Sequence, residues 1–114
     1  MCGGGIEMSD LESVIRYSEL LSLYQNLLSE AQKAILEDYF FYNLSLAEIA
    51  ENRKTSRSAV EDAIKKGKKK LDEYEEKLCS LKVIDKLHTI KNENKDEKIT
   101  SEIDEVERIM KHGI

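Results

Sequence analysis

The side chains able to ligate a metal or attack a substrate are few and scattered. Cys2, Cys79, His88 and His112 are the complete set of thiols and imidazoles in the chain. Cys79 and His88 stand nine apart without a second close pair, which is not a zinc-ligand spacing. No Ser, His and acid grouping is patterned, and no glycine-rich phosphate loop follows a strand. Carboxylates are abundant, but at this density on helices they read as a solvated face. These residues point away from an enzyme and carry no cofactor or metal signature. A different chemistry is concentrated in SLAEIAENRKTSRSAVEDAIKKGKKKL, which begins at Ser45. From Arg53 to Lys70 the cations are Arg53, Lys54, Arg57, Lys65, Lys66, Lys68, Lys69 and Lys70. They meet only Glu61 and Asp62, a local balance of +6 in a chain of net charge −5. A patch of that sign can neutralise the phosphates of DNA or RNA. No aromatic residue interleaves with it, so stacking on single strands is not indicated.

These cations need elements to aim them, and residues 45–66 read as a helix-turn-helix. Two helices must meet at a wide angle over a small apolar interface. Ala50 supplies the small side chain at the approach, and Ile49, Val60 and Ile64 supply the apolar pins. Asn52, Arg53, Lys54 and Thr55 make the turn, and Ser56 caps the second helix. Arg57, Ser58, Glu61, Asp62 and Lys65 then face outward. Arg57 and Ser58 fall in the first turn, where such a helix meets base edges. The candidate nucleic-acid contacts are Arg53, Lys54, Ser56, Arg57, Ser58, Lys65, Lys66 and Lys69. Glu61 and Asp62 sit in the middle of that face. They repel phosphate, although a carboxylate can accept from a cytosine amino group.

The rest of the chain is read from its helix starts. Ser9-x-x-Glu12, Ser29-x-x-Gln32 and Ser45-x-x-Glu48 are three matches to one capping device, each followed by an apolar period of three or four. Helix one is expected over 10–27, burying Leu11, Val14, Ile15, Leu20 or Leu21, Tyr24, Leu27 and Leu28. Helix two is expected over 30–42, with Ala34, Ile35, Tyr39 and Phe40 or Phe41 inward. Helix three spans 46–52. A fourth begins near Ser56 or Arg57, with Val60, Ile64, Gly67, Leu71, Tyr74, Leu78 and Leu81 alternating by four and three, a heptad seam. Unbroken, its roughly 30 residues would reach about 45 Å, so its far end needs another helix to pack on. That partner is either the same chain or a second copy, the latter giving a homodimer through Leu71, Tyr74 and Leu78. Gly67 marks a bend or a close contact in that seam. Residues 91–99 read as a polar linker, and 100–112 as a last helix presenting Ile103, Val106, Ile109 and Met110. The expected organisation is a disordered leader over 1–8, with Met8 as an alternative start, then a helical domain over 9–90, the linker and the C-terminal helix. The fold class is all-α.

Bulk properties agree with this class. Hydrophobic residues make up 40% and charged residues 36% of 114 positions, and there is no Pro to break a helix. No apolar run reaches 18 residues, so no membrane span is expected. The N-terminus lacks a signal-peptide pattern, and two cysteines do not make a disulfide framework. A cytoplasmic location is the expectation.

YQNLLSEAQKAILEDYFFYNLSLAEIAE, followed by SRSAVEDAIKKGKKKLDEYEEKL, resembles the bacterial YlxM family of helix-turn-helix proteins over about residues 16–82. The Leu27-Leu28-Ser29-x-x-Gln32 start, the aromatic group from Tyr39 to Tyr42, SLAEIA, SR-x-AV and YE-x-KL carry the resemblance. The helix-turn-helix is also similar to the promoter-binding fourth region of sigma factors. Arg53, Lys54 and Thr55 depart from the family pattern, which favours an aromatic or apolar residue, Asn or Gly, and Val. The resemblance implies a regulatory protein without catalytic residues. It also implies a link to the signal recognition particle, through that particle's GTPases, its RNA or the promoters of its genes.

Overall fold

The structure is a computed structural model, and it describes residues 10–113, with side chains from 11 onward. Six α-helices and one short 3₁₀ turn occur among the described residues, and no strand. In order they are α1 Asp10–Tyr24, the 3₁₀ turn Gln25–Leu27, α2 Glu30–Phe40, α3 Leu46–Arg53, α4 Arg57–Leu78, α5 Ser80–Glu93 and α6 Glu97–His112. The fold is an all-α bundle, as the helical periods require.

Each helix starts where a side chain can satisfy its orphan N–H groups. Ser29 accepts from the Gln32 amide of α2 at 3.3 Å. Ser45 and Glu48 close a full reciprocal box, with bonds of 3.1 Å in both directions. The Glu48 carboxyl is held below its usual range by the Ser45 N–H. The Ser9 cap lies outside the described residues.

The core is a wedge of α1, α2 and α4, closed at one end by α3 and at the other by α5. Leu20, Leu21, Tyr24, Leu36, Phe40, Ile49, Val60, Ile64, Leu71 and Ile84 form one buried cluster. Packing differs from the expected stripes at both early helices. Leu11 and Ile15 are 70% and 51% exposed. The other face of that end of α1 is the one tied down, since Arg16 and Tyr17 both reach Asp72 of α4, at 3.3 and 2.8 Å. Burial and that bond push the Tyr17 hydroxyl up to about 12. In α2, Phe40 is buried as expected and Ile35 and Tyr39 pack half-buried against the core, but the fully buried residue is Leu36, which the expected stripe left out.

The heptad seam is used inside the chain. Val60, Ile64, Gly67 and Leu71 are buried in α4. Tyr74 packs on the Tyr24 ring at 5.9 Å and donates to the Leu27 carbonyl at 3.1 Å. Leu78 is left exposed. Of the three residues expected at a homodimer seam, Leu71 is thus buried in the chain's own core and Tyr74 packs on α1 and its following turn.

The fourth helix also ends earlier than its seam. Cys79 takes a left-handed conformation, φ 55°, and turns the chain into α5. Cys79 is disulfide-bonded, against the expectation that the cysteines form no disulfide framework. Buried Glu75 stabilises the corner. Its carboxylate accepts from the Tyr24 hydroxyl at 2.7 Å and from the Leu81 and Lys82 amides at 3.0 and 3.1 Å. The Ser80 amide donates to Tyr24 Oη at 3.1 Å. A glutamate one turn before the corner thus caps the helix after it.

The expected linker over 91–99 is mostly helical. α5 continues to Glu93, and Asp96 caps α6 by accepting from the Lys98 amide at 2.9 Å. Polar composition predicts a loop, yet one Asx cap is enough to start the helix three residues earlier than expected. α6 folds back on α5 through Ile103 and through Lys91–Asp104 at 2.7 Å and His88–Glu107 at 2.9 Å. No helix is long and apolar enough to cross a membrane among the described residues.

Candidate nucleic-acid interface

The helix-turn-helix is built from α3, its turn and the first half of α4. Ile49 and Ala50 of α3 meet Val60 and Ile64 of α4, and all four are buried. The turn closes on α3 carbonyls. Thr55 N–H donates to Ala50 O at 3.0 Å, and Lys54 N–H to Glu51 O at 3.3 Å. This closure needs a left-handed residue, and Lys54 supplies it with φ 55°. A non-glycine residue there costs about 1–2 kcal/mol, which the buried interface must offset. Ser56 then accepts from the Ala59 amide at 3.1 Å and starts α4.

Behind the turn stands Asp38, a buried acid of α2. Arg53 donates from Nε to Asp38 Oδ2 at 3.0 Å, and its Nη2 lies 2.9 Å from the same oxygen. The Asp38 side chain is 12% exposed and that of Arg53 43%. The pair therefore braces the end of α3 against α2. Nothing in the polar pattern of Glu37-Asp38 singled out Asp38; only its buried position on α2 does.

The remaining candidates separate by location. Lys54, Ser56, Arg57 and Ser58 are exposed at the turn and in the first turn of α4. Lys65, Lys66 and Lys69 are exposed further along the same helix. Lys66 pairs with Asp62 at 2.9 Å, which raises its pKa. Glu61 lies beside Lys65 at a shallow hollow that Tyr39 and Leu46 also line. Lys68 turns inward instead, 5.2 Å from the Tyr17 ring centre and 5.8 Å from that of Phe40. The structure thus gathers Lys54, Ser56, Arg57, Ser58, Lys65, Lys66 and Lys69 on one exposed stretch, and sets Arg53 apart in its pair with Asp38. No cluster of three His, Cys, Asp or Glu side chains suited to a metal occurs among the described residues.

An exposed helix start, held by a capped turn and a small apolar interface, defines a helix-turn-helix protein of the all-α class. Residues 11–111 match the UPF0122 family, described as "Putative helix-turn-helix protein, YlxM / p13 like", and the chain belongs to it. It is 42% identical to a UPF0122 protein of Clostridium perfringens strain 13, over 83% of this chain and 93% of the relative. It is 37% identical to the UPF0122 protein YlxM of Bacillus subtilis, over 87% of this chain and 97% of the relative. A UPF0122 protein of Fusobacterium nucleatum is 48% identical over 60% of this chain and 66% of the relative.

Proposed function

We propose that this chain is a cytoplasmic regulatory protein that binds nucleic acid through the exposed start and outer face of α4. The observation that supports this most is the placement of Arg57 and Ser58. They are exposed in the first turn of a helix whose later turns present Lys65, Lys66 and Lys69. The start of such a helix is where a helix-turn-helix meets base edges, and the lysines beyond it meet phosphates. Duplex DNA is the ligand that this geometry suits, because an α-helix fits its major groove.

Filter binding with a short DNA duplex and an RNA stem-loop, each at two salt concentrations, tests the proposal. Each phosphate contact contributes about 0.9 to the slope of log K against log salt. Arg57→Ala with Lys65→Ala is expected to weaken binding and, through the lost Lys65 phosphate contact, reduce the slope by about 1. Unchanged affinity in that double variant removes α4 as the site.

The resemblance to YlxM adds a biological setting, the signal recognition particle pathway, with its GTPase or its RNA as partner. A second reading, a protein adaptor in that pathway without direct DNA reading, is favoured by Glu61 and Asp62, both exposed on α4. Pull-down against the particle's GTPase with and without its RNA separates the two readings. A complex that survives nuclease and the Arg57→Ala, Lys65→Ala change supports the adaptor.

A further inference from the structure

The structure carries a second surface, away from α4, whose chemistry is opposite to that of the basic run. α5 lies along the C-terminal half of α1, and the end of α6 returns beside it. Between them runs an open groove of about 370 Å³. Leu23, Leu81 and Ile84 line it with apolar side chains, and Glu19, Asp85 and Glu107 line it with carboxylates. Glu107 is occupied by His88 at 2.9 Å and Lys111 at 3.3 Å. Glu19 and Asp85 form no ion pair among the described residues.

The groove-facing side of α1 runs on beyond the groove. Ser18 and Ser22 line it. Leu11 and Ile15 precede them at helical spacings of four, three and four, so all four share one face of α1. Leu11 and Ile15 are exposed, with Val14 beside them. From Leu11 to Leu23 the helix rises about 18 Å. That strip is apolar at its exposed start, Leu11, Val14 and Ile15, and polar at Ser18, Glu19 and Ser22 where it meets the groove, and exposed apolar residues beside unpaired carboxylates mark an interaction face.

We infer that this groove docks an amphipathic helix of a protein partner that carries Lys or Arg beside its apolar stripe. Charge decides the occupant: an acidic helix would meet Glu19 and Asp85 with like charge, and a basic one completes them. The walls decide its shape, since helices line the groove and the protein has no sheet edge among the described residues to extend. About three turns of partner helix match the 18 Å strip. The site does not depend on the nucleic-acid reading, because none of the proposed phosphate contacts lines it.

Fluorescence anisotropy tests this with the full chain and two labelled helical peptides of identical leucine pattern, one flanked by lysine and one by glutamate. The lysine peptide is expected to bind and the glutamate peptide to bind at least about tenfold more weakly. Ile15→Asp and Glu19→Lys should each weaken the lysine peptide about tenfold, the loss of one anchor. Both positions are exposed, so unchanged circular dichroism confirms that the variants fold. Arg57→Ala with Lys65→Ala should leave peptide binding intact, which keeps this outcome separate from that of the nucleic-acid test. Equal binding of the two peptides, or full binding by both groove variants, overturns the assignment. So does sedimentation showing that the chain self-associates and that Ile15→Asp abolishes the association, since the occupant is then a second copy.

Discussion

Gly67→Ala is the sharpest test of how α4 is seated. In an exposed helix interior this change would stabilise by about 1 kcal/mol, from propensity alone. Here α4 passes so close to α2 that an added Cβ would lie 2.6 and 2.8 Å from the two Leu36 methyls and 3.0 Å from Leu36 Cγ. Carbon atoms prefer about 3.5–4.0 Å, so the helices must separate by about 1 Å or Leu36 must leave its rotamer. Leu36 is fully buried, so any move displaces core neighbours. Over-packing of this kind costs about 1–3 kcal/mol. The balance is a net loss of about 1 kcal/mol. Urea unfolding followed by helical ellipticity measures it. The sign should invert in a Leu36→Ala background. That change alone costs about 2–5 kcal/mol, but with the methyls gone Gly67→Ala regains its propensity and should stabilise by up to about 1 kcal/mol. If Gly67→Ala stabilises the unaltered chain, or has the same effect in both backgrounds, the close approach is not what Gly67 is for.

Glu75→Gln should destabilise by about 1–3 kcal/mol, because an amide keeps one oxygen for Tyr24 and Leu81 and turns its NH₂ toward the Lys82 donor. Amide exchange at Ser80, Leu81 and Lys82 should quicken before the rest of the core, and uniform protection would show that the corner does not depend on Glu75. Burial pushes the Glu107 carboxyl up, but hydrogen bonds from Lys111 and His88 outweigh it and set it below its ordinary 4.5. A lowered folded pKa gives a contribution that is present above about 4.5 and lost as pH falls through the folded value. The stability gap between the unaltered chain and Glu107→Gln should therefore be open near neutrality and close on acidification; a gap independent of pH refutes the pairing of Glu107 with Lys111 and His88.

The parts legible in the sequence were those governed by neighbours along the chain. Ser45 and Glu48 lie three apart, and their mutual capping needs no tertiary partner, so the start of α3 was readable. The same holds for the turn, where Lys54 stood out as an awkward residue and takes the left-handed conformation. Gly67 could be flagged as a bend or a contact, but only Leu36, thirty-one residues away, decides which. Asp38 and Glu75 were invisible for the same reason. Each looks like any other helical acid until Arg53, or Tyr24 and the start of α5, is placed against it. The end of α4 was misread because the seam residues continue past it. Leu78 and Leu81 keep the heptad spacing across Cys79, and a hydrophobic pattern does not report a left-handed residue.

The same distinction governs the charge that first drew attention to residues 53–70. Counted along the chain, eight cations are offered to phosphate. Placed in space, they are not equivalent. Arg53 holds an Asp38 side chain that is nearly buried, so moving it to a phosphate would strand that carboxylate, a large cost. Lys68 lies over two rings. Lys66 differs from Arg53 although both are paired, because the Lys66–Asp62 pair is exposed on both sides. Such a pair is worth little, and Lys66 can exchange Asp62 for a phosphate. Six cations then remain for a ligand: Arg57 at the base edges, and Lys54, Lys65, Lys66, Lys69 and Lys70 for phosphates. Binding through this face should show a slope of log K against log salt no steeper than about −4.5. A steeper slope would mean that nucleic acid reaches cations beyond the reading helix, and that the interface extends past the helix-turn-helix.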